Sequence, residues 1–390
     1  MSTTYKFIPS RLKEVRIARG FTITALAEKT GVSKQAISQV ENGVSTPSIK
    51  LLESFSQELN CPNYYFFNEN HTTPFNTIFF RSLSATTKKK REQAKVKFSW
   101  FKEVSVYVEQ YFDFFPVNVP SDFWVYDIDE LTDNIIIDAA KECRRRWALG
   151  DGPISNVTRL LEKRGFIIGN LGIEERDVDA ISEWSNNERP YILMGNHKKS
   201  AARMRFNLAH ELGHIVLHRN LDREHFEVYH KKIEAQANLF AGHFLMPKES
   251  FGSEFYAATL KSFLQLKLRW KTSVKAIIVH AHHLNLISDD QYRLLNINYS
   301  RKKWGLGEPL DDDIITEVPE YFSKCLKVLI TDGVQSKEDI FQKLPFSSSD
   351  LEKMICLEEG FFDKNQYEYQ PKLKSDTQVN STIRILKFDQ

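Results

Sequence analysis

Residues 206–218 read Phe-Asn-Leu-Ala-His-Glu-Leu-Gly-His-Ile-Val-Leu-His, which places a His-Glu-x-x-His motif inside an apolar pattern with helical spacing. On a helix, His210 and His214 lie one turn apart on the same face. Two imidazoles in this arrangement can bind one zinc ion, and Glu211 is placed to take a proton from a water at that ion. The five-residue motif alone recurs by chance, but here apolar flanks bury the helix and no proline interrupts it. The sequence therefore predicts a metal site on this helix.

A zinc site of this kind needs a third protein ligand, and residues 231–247 offer one. Their apolar positions recur at helical spacing, and Glu234 lies on the same face among alanines. A carboxylate on an apolar face is costly unless it is paired or bound to metal, so Glu234 is the predicted third ligand. His218 is two turns from His210, and we expect it at the helix end, where it would favour the helix dipole. The competing candidates are His218, His225, His230 and His243.

Three motifs carry a resemblance to a known family: residues 206–214, Glu-Ala-x-Ala-Asn-x-Phe-Ala at 234–241 and Leu-Met-Pro at 245–247. With these motifs, the stretch from about residue 200 to 250 resembles the ImmA/IrrE family of metallopeptidases, a gluzincin-like group. The resemblance implies a zinc endopeptidase with a small β-sheet over the motif helix, which cleaves a repressor-like protein and so relieves repression. The departure is Gly242-His243, where the family more often has a small residue followed by an acidic or polar one. This departure concerns helix geometry and no ligand. Residues 265–304 also resemble the helical segment that follows this core in the family.

The first 65 residues carry a second, independent pattern of short capped helices. Residues 11–20 predict a helix with its apolar side chains inward. Thr22 is the predicted N-cap of the next helix, Gly31 supplies a tight turn, and Ser33 caps residues 34–42. Small, turning and apolar residues thus fall where a helix-turn-helix unit needs them.

Residues 8–65 resemble the XRE (Cro/repressor-like) helix-turn-helix family. In such domains the second helix of the unit enters the major groove, with its first residues at base edges. This chain has Ile23 where many family members carry Gln, which removes one phosphate contact. Residues 1–70 hold 8 basic and 6 acidic side chains, so bulk charge alone does not indicate DNA binding. The predicted DNA-contacting residues are Ser33, Lys34, Gln35, Ser38, Gln39 and Asn42.

Length and composition bound the class of protein. The chain has 390 residues and a net charge of +2, enough for two or three domains. Its four cysteines are dispersed without a Cys-x-x-Cys pair, as in a cytosolic protein that keeps its thiols reduced. The sequence shows neither a leader-like apolar stretch nor a run of about 18 apolar residues. We therefore expect a cytoplasmic protein with no membrane partner.

The predicted fold class is mostly α with a small β-sheet (α+β), with short strands near residues 166–169, 180–185 and 191–194. An edge of that sheet could hold an extended peptide by strand addition. Residues 81–102 hold eight basic side chains against one acidic one, which predicts either extra phosphate contacts or a solvated helix start. The predicted regions are a five-helix XRE-type domain (1–70), a basic, aromatic-rich linker or helix (71–124), a gluzincin-like zinc peptidase domain (125–305) and a small helical region of unassigned role (306–390).

Together these patterns predict a DNA-binding transcriptional regulator that carries a regulated zinc endopeptidase. Zn²⁺, or another divalent ion such as Mn²⁺, would be held by His210, His214 and Glu234, with Glu211 as the base. A homodimer would bind double-stranded operator DNA, and the substrate would be a repressor-like or antitoxin-like protein or the chain itself. Two other classes stay open. One is a repressor whose metal site is sensory or structural, and the other is the antitoxin-like part of a toxin–antitoxin or phage-defence operon.

Overall fold

The computed structural model of the chain describes residues 6–68, 78–80, 87–125, 127–172, 180–184, 189–195, 200–221, 224 and 228–363. Within these residues the protein is mostly helical with one small sheet, which confirms the predicted fold class. The strands are β1 (Ile78–Phe80), β2 (Ile167–Asn170), β3 (Ala180–Glu183) and β4 (Tyr191–Met194). The helices are α1 (Pro9–Ala18), α2 (Ile23–Thr30), α3 (Lys34–Glu41), α4 (Ile49–Leu59), α5 (Lys88–Glu109), α6 (Asp133–Arg146), α7 (Val157–Glu162), α8 (Ala201–Leu217), α9 (His230–Leu245), α10 (Lys248–Glu254), α11 (Leu260–Trp270), α12 (Val274–His283), α13 (Asp289–Arg301), α14 (Tyr321–Thr331), α15 (Lys337–Lys343) and α16 (Ser348–Met354).

The N-terminal helices α1 to α4 begin and end where the sequence indicates. The side chains of Thr22 and Ser33 each accept a hydrogen bond from the backbone N–H three residues later, and so cap α2 and α3. Gly31 has a φ of 68°, a left-handed conformation that glycine adopts without strain, and it makes the turn between these two helices. The fifth helix of the predicted module is a 3₁₀ helix, Asn63–Phe67.

The sheet has the strand order β1-β3-β4-β2. β2 and β4 are parallel, and β3 is antiparallel to β4 on one side and to β1 on the other. The three strands expected from the sequence are found within two residues of their predicted bounds. β1 was not predicted, and it belongs to the segment between the helix-turn-helix helices and α5.

The sheet separates two hydrophobic cores, because alternate residues of a strand point to opposite faces. Ile192 packs into the core that contains α8, whereas its neighbour Leu193 packs into the core that contains α5. Both faces are therefore covered, which explains why β3 and β4 are buried along their whole length. The α8 core belongs to the region predicted as the peptidase domain.

The second core joins the helix-turn-helix helices, α5 and the helices α14 to α16. Arg11 of α1 donates two hydrogen bonds to Glu103 of α5, at 2.9 and 3.0 Å. Asp350 of α16 accepts hydrogen bonds from Arg19 and from Lys97 of α5. The predicted linker 71–124 thus contains a helix that is mostly buried along its second half, and the predicted domain boundaries stay predictions. No helix in the described parts of the chain is long and apolar enough to cross a membrane.

Candidate metal centre and DNA-binding surface

The motif helix α8 lies between the sheet and α9. It begins after Ser200, whose hydroxyl accepts the backbone N–H of Arg203. His210, Glu211 and His214 are fully buried. Polar groups in such a place need partners to offset their loss of hydration, so the neighbours of each group indicate what the site can do.

Helix α9 approaches α8 closely because small residues form the contact. A methyl group added to Gly213 of α8 would lie 3.3 Å from the Ala237 backbone and 3.1 Å from the Phe240 ring of α9. Glu234 lies one helical turn before Ala237, so this close approach brings its carboxylate to the two histidines of the motif.

Three donor atoms converge at this point. His210 Nε2 and His214 Nε2 are 3.0 Å apart, and the carboxylate oxygens of Glu234 lie 3.4 and 3.3 Å from these two nitrogens. Around a tetrahedral zinc ion with bonds of 2.0–2.1 Å, two ligand atoms are about 3.3 Å apart. The separations and the donor types therefore fit one divalent ion. Among the described residues, this is the one group of three or more histidine, cysteine or acidic side chains close enough to share an ion.

A hydrogen bond on the far side of the His210 ring determines which ring nitrogen carries the proton. It leaves Nε2, with its lone pair, facing the other two donor atoms. His210 Nδ1 lies 3.0 Å from Asn238 Oδ1. An amide oxygen only accepts, so the imidazole proton is on Nδ1. This leaves Nε2 unprotonated, which is the form that binds a metal.

A longer chain of hydrogen bonds does the same for His214. Gln236 donates its amide N–H to the Leu131 carbonyl, which leaves Gln236 Oε1 to accept from His218 Nε2 at 3.1 Å. The proton of His218 is therefore on Nε2, and its Nδ1 accepts from His214 Nδ1 at 3.1 Å. It follows that His214 Nε2 also carries a lone pair toward Glu234.

The carboxylates of Glu234 and Glu211 are the two acidic groups of the site. Burial alone would raise the pKa of Glu234, but positive charge at the two imidazoles outweighs burial and lowers the pKa. With neutral imidazoles, a metal ion bound between them would supply that charge instead. The carboxylate is therefore ionised, and its Oε1 meets no hydrogen-bond donor in the described residues. Two lone pairs and a carboxylate at such short range call for a cation between them. Beside them, Ser182 of β3 donates a hydrogen bond of 2.5 Å to Glu211 Oε2.

The structure thus brings His210, His214 and Glu234 together, with Glu211 next to His210 on α8 and hydrogen-bonded to Ser182. Their roles as ligands and base stay predictions. His218 lies at the end of α8 as expected, but the dipole argument for it is wrong. Burial is the largest cause that lowers its pKa well below the usual range, so its ring is neutral.

The other candidate histidines do not join the donor cluster. His243 packs against the ring of His280, His230 begins α9, and His225 lies outside the described residues. Sequence reasoning missed Ser182, Gln236 and Asn238. A signal for the last two was present, since both lie within two to four residues of Glu234 on the same helix.

The predicted DNA-contacting residues lie on and just after α3. Ser33, Lys34, Gln35, Gln39 and Asn42 are exposed, and Ser38 is half-buried, with its hydroxyl 3.3 Å from the Asn42 amide. Ile37 and Val40 on the opposite face are buried. A helix with its apolar face anchored and its polar face open is the form that enters a major groove.

Comparison with known proteins divides the chain in the same way. Residues 162–282 match the IrrE N-terminal-like domain of the M78 peptidases, and residues 12–65 match the helix-turn-helix family model. A stretch of 62 residues is 37% identical to the HTH-type transcriptional regulator SutR of Escherichia coli (strain K12), covering 16% of this chain and 35% of that protein. A stretch of 69 residues is 36% identical to the HTH-type transcriptional regulator SinR of Bacillus subtilis (strain 168), covering 17% of this chain and 62% of that protein.

The matches to these regulators span less than two thirds of their length, so they bear on the helix-turn-helix part alone. The two family models cover separate parts of the sequence, and each includes the residues described above for its site. The chain therefore joins an XRE-type helix-turn-helix domain to a metallopeptidase-family domain of the IrrE/ImmA type.

Proposed function

We propose that this protein is a DNA-binding transcriptional regulator that carries a zinc-dependent endopeptidase. The observation that carries the proposal is the convergence of His210 Nε2, His214 Nε2 and the Glu234 carboxylate at 3.0–3.4 Å. Glu211 follows the first of these ligands on the same buried helix. Three protein ligands leave a fourth zinc position open, as catalytic zinc sites require. A structural zinc site would have four protein ligands, and the described residues supply three.

In this proposal each residue of the site has a distinct role. His210, His214 and Glu234 would hold the ion, which when bound supplies a Lewis acid that acidifies water and polarises a peptide carbonyl. Glu211 takes the proton of the attacking water and passes it to the leaving amine. Ser182 orients the Glu211 carboxylate, which works as the base. The hydrogen bonds from Asn238 and through His218 hold the two imidazoles in the metal-binding tautomer.

The DNA-binding half rests on the exposed face of α3. We propose that a homodimer binds double-stranded DNA with half-sites about one helical turn apart, as two-fold related helix-turn-helix domains do. Gln35 and Gln39 would read adenines, and Lys34 a guanine. The exposed lysines at the start of α5, Lys88 and Lys89, would add phosphate contacts.

Helix α5 forms ion pairs both with the helix-turn-helix domain and with the sheet beside the candidate metal centre. On one side, Glu103 pairs with Arg11 of α1. On the other side, Lys102 pairs at 3.0 Å with Glu183 of β3, which is next to the Ser182 that holds Glu211. We propose that DNA binding and peptidase activity are coupled through this helix. The substrate would be a repressor-like or antitoxin-like protein in the cytoplasm, or another copy of this chain.

A Glu211→Gln variant tests the proposal against a regulator whose metal site is only sensory. Gln is close in shape but cannot take a proton, so the variant should keep its metal and its DNA sites. In cells that carry a reporter gene controlled by such a DNA site, the wild-type chain should relieve repression of the reporter upon induction. The variant should not. Equal relief by both proteins would support a sensory site and contradict the enzyme.

A further inference from the structure

Strand β1 occupies the edge of the sheet nearest to the candidate active site. β3 pairs with β4 on one side, and on the other it pairs antiparallel with Ile78–Phe80. Without β1, β3 would be the outer strand of the sheet in the described part of the chain. An outer strand offers unpaired backbone N–H and C=O groups to any extended peptide.

The register of the two strands places β1 directly opposite Ser182, the residue that is hydrogen-bonded to Glu211. Phe79 lies opposite Ser182, and Ser182 donates to Glu211. A peptide that was bound to β3 in the same way would run past Glu211. The position that β1 takes is therefore the one that a substrate backbone would need.

The burial of the site points in the same direction. Glu211, His210 and His214 are fully buried, and the Glu234 side chain is only 15% exposed. A protein substrate has to bring a peptide bond to these groups, so the chain as described is a closed form.

We propose that the free edge of β3 is the peptide-binding site of the peptidase, with an extended backbone as its ligand, and that Ile78–Phe80 of the chain itself occupies it at rest. This inference rests on the proposed endopeptidase function. Hydrogen bonds to β3 recognise the backbone of the peptide, so peptides of many sequences can bind once the edge of β3 is free. A tethered strand competes at an effective concentration on the order of millimolar, which holds the peptidase inactive until the strand is displaced.

Two consecutive prolines test the occupancy. Neighbouring residues of a strand direct their N–H groups to opposite sides, so F79P/F80P removes a donor toward β3 whichever residue supplies it. The matched control, F79A/F80A, keeps both N–H groups. The probe is a fluorescein-labelled peptide of residues 75–83, and its anisotropy is measured with each full-length protein. We expect at least tenfold tighter binding by the proline variant than by the wild type, with a smaller gain in the alanine variant.

No gain in the proline variant would overturn the inference, and an equal gain in both variants would assign the contact to side chains and overturn the backbone pairing. Binding does not need turnover. Gained binding without cleavage of any substrate would therefore contradict the endopeptidase but leave β3 as a peptide-binding edge.

A disulfide-locked variant controls for misfolding of the proline variant. Phe80 lies opposite Ile181, so F80C/I181C should form a disulfide that abolishes peptide binding, and reduction should restore it. Equal binding before and after reduction would contradict the proposal.

Discussion

Gly213→Ala should separate α8 from α9 and weaken the metal site. The added methyl group meets the Ala237 backbone at 3.3 Å and the Phe240 ring at 3.1 Å, so a neighbour must give way. Overpacking of this kind costs about 1–3 kcal/mol, whereas replacing a helical glycine with alanine gains about 1 kcal/mol. The sum is a net loss of roughly 0–2 kcal/mol of folding stability.

The effect on metal follows from the same strain. If α9 moves outward to relieve it, Glu234 leaves the two histidines, and metal binding has to restore the crowded contact. A cost of one to two kcal/mol corresponds to a roughly 5- to 30-fold weaker affinity. Chelator competition measures this affinity, and urea unfolding measures the stability. Gly252→Ala on α10 is the matched control, because a methyl group there meets nothing within 4 Å. It should stabilise the protein slightly and leave metal affinity unchanged. A Gly213→Ala protein that is more stable than wild type and binds metal equally well would refute the reasoning.

Three further predictions follow from other contacts. His218→Ala should weaken metal binding by about 10- to 100-fold, because it removes the acceptor that sets the His214 tautomer, and an unchanged affinity would contradict the hydrogen-bond chain. Gln35→Ala should cost roughly 1–3 kcal/mol at one base position, whereas alanines at Lys88–Lys90 should weaken binding to all sequences alike and flatten the salt dependence, as measured by titration of selected and random DNA. Burial lowers the pKa of His280 from 6.5 to about 3, so the unfolded chain binds one more proton between these values and stability falls as pH falls. His280→Gln should therefore reduce the slope of unfolding free energy against pH by about 1.4 kcal/mol per unit near pH 5, and an unchanged slope would show that His280 is not buried as a neutral ring.

Local signals in the sequence were sufficient for most of the elements. The caps at Thr22 and Ser33 depend on residues three apart, and the spacing of His210 and His214 depends on one helical turn. Such short-range patterns can be recognised in the sequence without knowledge of the tertiary structure. The closeness of Glu234 to the motif could also be inferred, because a carboxylate on an apolar helix face needs a partner.

Long-range contacts were not accessible in the same way. Nothing in the sequence around Ser182 indicates that it would reach Glu211, since the two are 29 residues apart and lie on a strand and a helix. Strand β1 has three residues and no alternation long enough to detect. The basic start of α5 suggested a linker, whereas its second half packs between the helix-turn-helix helices and the sheet. That placement depends on tertiary pairs such as Lys102 with Glu183.

The most direct test of the central claim is cleavage of a protein by metal-loaded chain, scored by intact mass. The wild type and Glu211→Gln are matched for zinc content and incubated with candidate repressors, with antitoxin-like proteins and alone, with and without DNA. We predict that the wild type converts one of these proteins into two fragments whose masses add up to the parent plus one water. The variant should bind zinc equally and produce no fragments. Fragments of the same masses from both proteins would contradict Glu211 as the base, and a zinc-loaded wild type that cleaves none of these proteins under any condition would contradict the endopeptidase itself.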